Sequence, residues 1–216
     1  MQEPAMQPTR DLPVLLCLPA MGAPAAFYEP FAGRLRRGGR ASVEQMEFRG
    51  QGRHPQRARL GADFGYREIV EEDIPAELDR LEARYPGRPI YLVGHSLGGQ
   101  LAAVAGATVS ARIAGIVLVA AGTAHFRTWP RLQRWRAWAV VQAIRLAARL
   151  CRWYPGRRLG FGGDQPRRFM RDWAFNACTG AYRLEGSTRT PHEIERALRE
   201  VRLPVLSIAV RGDRVA

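Results

Sequence analysis

Apolar residues gather in five short, nearly continuous runs, at 14–18, 42–47, 90–93, 113–119 and 205–210. Runs of that length, rich in Val, Ile and Leu, predict strands buried on both faces, as in a parallel sheet. Between the second and third runs, Ile69, Val70, Ile74, Leu78, Leu81 and Tyr85 recur at helical spacing until Pro86 and Gly87 stop the pattern, and Pro75 is expected to offset the helix near its start. Small residues after Leu97 predict a second helix. Thr190-Pro191-His192-Glu193 reads as a capping box with proline at the first helical position, opening a third helix that runs to Val201. Strands alternating with helices predict an α/β fold, a mostly parallel sheet with crossover helices.

The alternation stops between Gly122 and Thr190, and all five tryptophans, Trp129, Trp135, Trp138, Trp153 and Trp173, fall there. We read an inserted helical cap at 125–189 on a core made of 12–124 and 190–216. On a helical wheel from Arg131 to Trp153, Arg131, Arg134, Arg145, Arg149 and Arg152 share one stripe of about 60 degrees. The apolar residues of the cap are expected to close a pocket while the arginines face water.

Charge sharpens this picture. Every one of the 33 basic residues is arginine, set against 20 acids for a net charge of +13. Residues 125–189 hold 14 arginines against Asp164, Asp172 and Glu185, so the basicity belongs to the insertion. An anionic partner then has to be weighed. A membrane surface is considered but not favoured, and nucleic acid is not expected. At 216 residues and 46% hydrophobic the chain predicts one domain with an insertion, which excludes a disordered tail or a fibre. Three cysteines, Cys17, Cys151 and Cys178, lack ligand-like spacing and leave one unpaired, so a reducing, cytoplasmic setting is expected and a zinc site is not. The uncharged stretch 12–28 has a nearly neutral flank in Glu3, Arg10 and Asp11 and is broken by Pro13, Pro19 and Pro24, unlike a secretory leader. A second uncharged span, 89–110, is too interrupted by glycine and polar residues to be read as a membrane helix.

Gly94-His95-Ser96-Leu97-Gly98 carries the sharpest chemical signal, because it lies between an apolar strand and a small-residue helix. A serine on such a strained turn projects its hydroxyl from the sheet edge, and the turn aims the Leu97 amide at the point where an oxyanion would develop. A second donor is expected from the loop after the first strand, 18–22, with the Met21 amide chosen and Ala20 as the alternative. Arg49-Gly50-Gln51-Gly52-Arg53 reads as a loop-shaping motif. The turn Arg211-Gly212-Asp213 after the last strand offers Asp213 as the acid that orients a histidine.

These features resemble the α/β-hydrolase superfamily in its serine esterase, lipase and serine aminopeptidase-like branch, and more closely a bacterial group of α/β hydrolases of unassigned substrate. The residues that carry the likeness are Pro19-Ala20-Met21-Gly22, Phe48-Arg49-Gly50-Gln51-Gly52, Asp63-Phe64-Gly65-Tyr66-Arg67-Glu68, Gly94-His95-Ser96-Leu97-Gly98-Gly99-Gln100, Phe161-Gly162-Gly163, Arg171-Asp172-Trp173 and Gly212-Asp213. The resemblance implies Ser96 as nucleophile, Asp213 as triad acid, an aromatic cap over the pocket, a small-molecule acyl substrate and no metal or organic cofactor. Three departures stand out. Pro19-Ala20 replaces the usual His-Gly before the oxyanion loop, the first strands common in the family are not expected, and nor is the last. In the family's order the histidine follows the acid, yet only Arg214, Val215 and Ala216 follow Asp213. Among the four histidines, His95 is expected to point away from the site, His54 to be solvated and His192 to belong to a helix start. His125 is the one placed to approach Ser96. The expectation is a serine hydrolase crippled by the lack of its base, with a non-catalytic hydrolase-fold binding protein as the alternative.

Overall fold

The computed structural model describes residues 12–213, so the flank carrying Glu3, Arg10 and Asp11 and the three residues after Asp213 lie outside the described residues. The apolar runs become strands β1 (Val14–Leu18), β2 (Ser42–Gln45), β3 (Ile90–His95) and β4 (Gly115–Val119), with β5 (Tyr154–Pro155) and β6 (Asp164–Gln165) forming a small hairpin and β7 (Val205–Ile208) the last strand. All pairs in the main sheet are parallel, in the order β2-β1-β3-β4-β7. Four strand ends differ from the sequence pattern: β2 stops at Gln45 and β7 at Ile208, each two residues short of its apolar run, and the other two belong to the β3–β4 pair. β3 runs two residues further, because Gly94 and His95 still pair with Leu118 and Val119, and β4 starts two residues later, at Gly115.

The helices are α1 (Glu29–Arg37), α2 (Tyr66–Glu68), α3 (Ile74–Arg84), α4 (Leu97–Val109), α5 (Arg134–Leu150), α6 (Gly156–Leu159), α7 (Arg167–Thr179) and α8 (Pro191–Glu200). A π-helical turn, Ile69–Asp73, interrupts the continuous helix that the apolar spacing predicts. Pro75 explains it: with no N–H to offer the Glu71 carbonyl, the chain widens its turn before α3 can begin. The capping box of α8 forms as read, with Thr190 Oγ1 accepting the Glu193 N–H and Glu193 Oε2 accepting the Thr190 N–H at 2.7 Å.

Side chains alternate across the sheet. Val14, Leu16, Leu18, Ile90, Leu92 and Ile116 enter the large core beneath α3, α4 and α8. Cys17, Val43 and Val93 meet Ala32 of α1 on the other face, where Leu15, Val117 and Val119 are only partly buried. Burial on both faces therefore holds unevenly, since three helices land on one side and, among the described residues, α1 on the other. β7 is exposed along its whole length.

Residues 125–189 attach through a buried ionic seam that joins two of the sequence motifs. Asp172 of α7 is fully buried, and its Oδ2 accepts the Tyr66 N–H at 3.1 Å while Oδ1 takes Arg183 Nε at 3.1 Å. A side chain at Gly65 would come within 2.6 Å of the same carboxylate, which is the reason for glycine there. Burial pushes the Asp172 carboxyl up to about 6, against the pull of the Tyr66 amide and Arg183. The folded chain thus holds this proton more tightly than the unfolded chain, whose carboxyl stays near 3.8. Stability from this group is complete below that value and falls as pH rises toward 6, by roughly 3 kcal/mol. Asp172→Asn, which keeps an acceptor for Tyr66, is expected to remove that slope in urea unfolding between pH 4 and 7; an unchanged slope would show that Asp172 is not its source.

Among the tryptophans, Trp129, Trp153 and Trp173 are half-buried, whereas Trp135 is 67% exposed and Trp138 50%. Leu132, Leu146 and Leu150 are exposed as well. The apolar residues of this segment were expected to fill a pocket, and about half of the large ones do not. The reason is geometric: α5 buries Val141, Ile144 and Ala148 against α7, leaving Trp135, Ala139, Ala143, Leu146 and Leu150 on its opposite side.

Candidate active site

Gly94, Ser96 and Gly98 mark the turn that leads from β3 into α4. Ser96 has φ 51 and ψ −120, and among the described non-glycine residues only Ala120 shares a positive φ. Such a conformation costs about 1–3 kcal/mol and persists only where the surroundings enforce it. Here the Ser96 N–H is held by the Val119 carbonyl at 2.9 Å, while the Ser96 carbonyl accepts the Gly99 and Gln100 N–H groups. A Cβ at Gly98 would stand 2.5 Å from the Leu18 and Pro19 carbonyl oxygens, and one at Gly94 would fall on the Gly99 backbone. Glycine at both positions lets β1, β3 and α4 close around the serine.

The loop after β1 is clamped to this turn by a residue that sequence reasoning passed over. Tyr28 Oη accepts the Ala20 N–H at 2.9 Å and pairs with His95 Nδ1 at 2.8 Å. Of the two candidate oxyanion donors, Ala20 is therefore spent on the tyrosine. Met21 follows it, with its side chain against Gly162. The next residue, Gly22, is packed so closely that a Cβ would lie 2.7 Å from the Gly162 carbonyl. Phe161-Gly162-Gly163, noted as a motif, thus seats the hairpin side of the insertion on the loop carrying Met21. A lone tyrosine ten residues after the strand gives no local signal of such a role.

His95 points away from Ser96 toward Tyr28, and burial lowers its proton affinity while the Asp213 charge raises it. Asp213 therefore lies within electrostatic reach of the elbow, at the end of a turn in which its N–H meets the Val210 carbonyl at 3.1 Å. His125 packs against Gly180 and Phe126, and no hydrogen bond joins it to Ser96. Its carbonyl accepts the Thr128 hydroxyl at 2.8 Å. His54 is half-buried rather than solvated; its Nδ1 accepts the Gln56 N–H, and burial lowers its proton affinity. His192 is exposed in the first turn of α8. Arg49 reaches Asp73 and Glu72 at 2.7 Å, which fixes the loop after β2 to the π turn as a shaping role requires.

A serine at a glycine-flanked strand-to-helix turn on a parallel sheet is the arrangement of an α/β hydrolase. Residues 12–216 match the family described as serine aminopeptidase, S33. The chain belongs to that family. Over 65 residues it is 34% identical to monoglyceride lipase of Homo sapiens, a match covering 27% of this chain and 22% of that lipase. The chain is thus matched to about a fifth of the length of that curated relative. Among solved structures it is similar to a metagenome-derived lipolytic enzyme described with LipS and LipT (TM-score 0.62, 19% identity, 95% of this chain and 74% of that one). It is also similar to the monoacylglycerol lipase of Paleococcus ferrophilus (TM-score 0.53, 16% identity, 92% and 86%). At these identities the solved structures establish the α/β-hydrolase fold.

Proposed function

We propose that the chain is a serine hydrolase acting on an ester or related acyl substrate, with residues 125–189 as its cap. The observation that carries this reading is the strained Ser96 at the head of α4. Ser96 Oγ attacks the acyl carbon, and the amides of Leu97 and Met21 receive the oxyanion. Asp213 serves to orient an imidazole. Turnover by these 216 residues is expected to be slow, because none of His54, His95, His125 and His192 is hydrogen-bonded to Ser96, and a serine without a base is a weak nucleophile. Lipolytic relatives support the ester class. The test is hydrolysis of an activated aryl ester: a low rate, lost in Ser96→Ala, is expected. Tyr28→Phe, which frees the Ala20 loop, is expected to lower kcat about tenfold with KM little changed, as loss of positioning at an oxyanion donor would. A rate untouched by Ser96→Ala would overturn the reading, and an unchanged kcat in Tyr28→Phe would remove the clamp from it.

A second reading concerns the cap alone and rests on the exposed apolar side of α5. Residues 122–163 carry nine arginines and no acid. An exposed Trp/Leu stripe flanked by arginine is the composition of a helix that lies in an anionic lipid interface.

A further inference from the structure

The loop motif Gly50-Gln51-Gly52 does more than shape a turn. Gln51 is 5% exposed, yet neither Nε2 nor Oε1 of its side chain has a hydrogen-bond partner. Gln165, at the end of the β5–β6 hairpin, is 1% exposed; its Nε2 donates to the Gly162 carbonyl at 2.7 Å and its Oε1 is unpartnered. Both residues line one cavity of about 440 Å³ between the loop after β1, the loop after β2 and the insertion. Buried amides without partners are costly and rare, so two on one cavity wall need an explanation.

Charge supplies the other half. Arg57, Arg59 and Arg157 line the same cavity against a single carboxylate, Asp164. Arg57 gives one N–H of each terminal nitrogen to the Gly50 and Gly52 carbonyls, which ties its guanidinium to the loop. Arg59 Nε meets Asp164 Oδ2 at 2.5 Å, and the Arg157 backbone N–H meets Oδ1 at 3.2 Å. A guanidinium has five N–H donors, so Arg59 and Arg157 keep donors for a ligand after Asp164 is served. A neutral polyol would satisfy the amides and leave the excess positive charge unmatched. A bare anion would match the arginines and leave two amide oxygens without a donor.

We infer that this cavity binds a hydroxylated organic anion, its phosphate or carboxylate on the Arg59–Arg157 side and its hydroxyls on Gln51 and Gln165. Gly22 is part of the wall and directly follows Met21, so the bound group lies beside the loop assigned to the oxyanion. As a substrate subsite, the inference rests on the hydrolase reading and names the substrate as an acyl ester with a charged, hydroxylated head. As a binding site it stands without Ser96.

The test is calorimetric titration of the 216-residue chain at low salt with sn-glycerol 3-phosphate, glycerate, glycerol and inorganic phosphate. Single-site binding of glycerol 3-phosphate or glycerate is expected, at least tenfold tighter than phosphate, with no binding of glycerol; which of the two binds tells the acid. Gln51→Leu and the double variant Arg59→Gln/Arg157→Gln should each weaken it tenfold or more, and Ser96→Ala should leave it unchanged. Gln51→Glu keeps the side chain's shape and should also lose the anion, which guards against misfolding of Gln51→Leu. Phosphate binding as tightly as glycerol 3-phosphate, equal affinity in the correctly folded Gln51→Glu variant, or no saturable binding would each overturn the inference. Intact binding in a chain whose ester hydrolysis survives Ser96→Ala would sink the hydrolase reading alone.

Discussion

A fluorescent phosphonate probe is expected to label this chain at Ser96, and Ser96→Ala to lose the label by a factor of at least about 10², the effect of removing the proposed nucleophile from beside its proposed oxyanion donors. The chain has five serines, and the structure separates them. Ser42 Oγ accepts from Arg88, Ser187 Oγ donates to Glu71 at 2.6 Å, Ser110 sits in a 3-10 turn after α4 and Ser207 lies within β7. Only Ser96 combines a positive φ with the N-terminus of a 13-residue helix and the neighbouring Met21 loop. Labelling should be slow, since none of His54, His95, His125 and His192 is hydrogen-bonded to Ser96, and oxyanion donors and binding without a base retain only about 10³–10⁴ of rate enhancement over water. Mass mapping of the labelled peptide decides the matter. Equal labelling of Ser96→Ala, or a label on any other serine, would remove Ser96 from the nucleophile role.

How much of the fold and of the site is legible in the sequence depends on whether the deciding contact is local. β1 and the α8 capping box could be read because each is written in consecutive residues: an apolar run closed by Pro19, and Thr190 with Glu193 three residues later. The elbow could be read for the same reason. Strand ends were misjudged where pairing partners set them, as with Gly94 and His95, whose place in β3 is decided by Leu118 and Val119. Tyr28 carries no local signal, because its role depends on His95, 67 positions away. The joining of Asp63–Glu68 to Arg171–Trp173 is of that kind too; both motifs were noticed, but only the fold shows that Asp172 caps the Tyr66 amide. The arginine stripe was partly legible. Arg131, Arg134, Arg149 and Arg152 are exposed, while Arg145 is half-buried and turns its guanidinium toward Gln142 and Cys178.

That division determines how the cap reading should be tested. Trp135, Ala139, Ala143, Leu146 and Leu150 occupy an arc of about 80 degrees on α5, all exposed, with the arginine stripe on one flank. Laid on an anionic bilayer, this helix would bury Trp and Leu among the acyl chains and set its arginines at the phosphates. Each arginine near such a surface contributes about 1 kcal/mol, so replacing Arg131, Arg134, Arg149 and Arg152 by Gln should weaken binding to phosphatidylserine-containing vesicles by about 10³-fold. Arg145 is left in place because it faces Cys178. The wild-type chain should bind those vesicles in co-sedimentation, lose much of the binding as salt is raised, and ignore vesicles of phosphatidylcholine alone. Trp135→Ser/Leu146→Ser should weaken what persists at high salt, since that part depends on apolar burial. If the chain prefers single-stranded DNA to the vesicles, the surface is a nucleic-acid site, and if neither binds, the arginines are a solvated face and the exposed stripe must be covered in some other way.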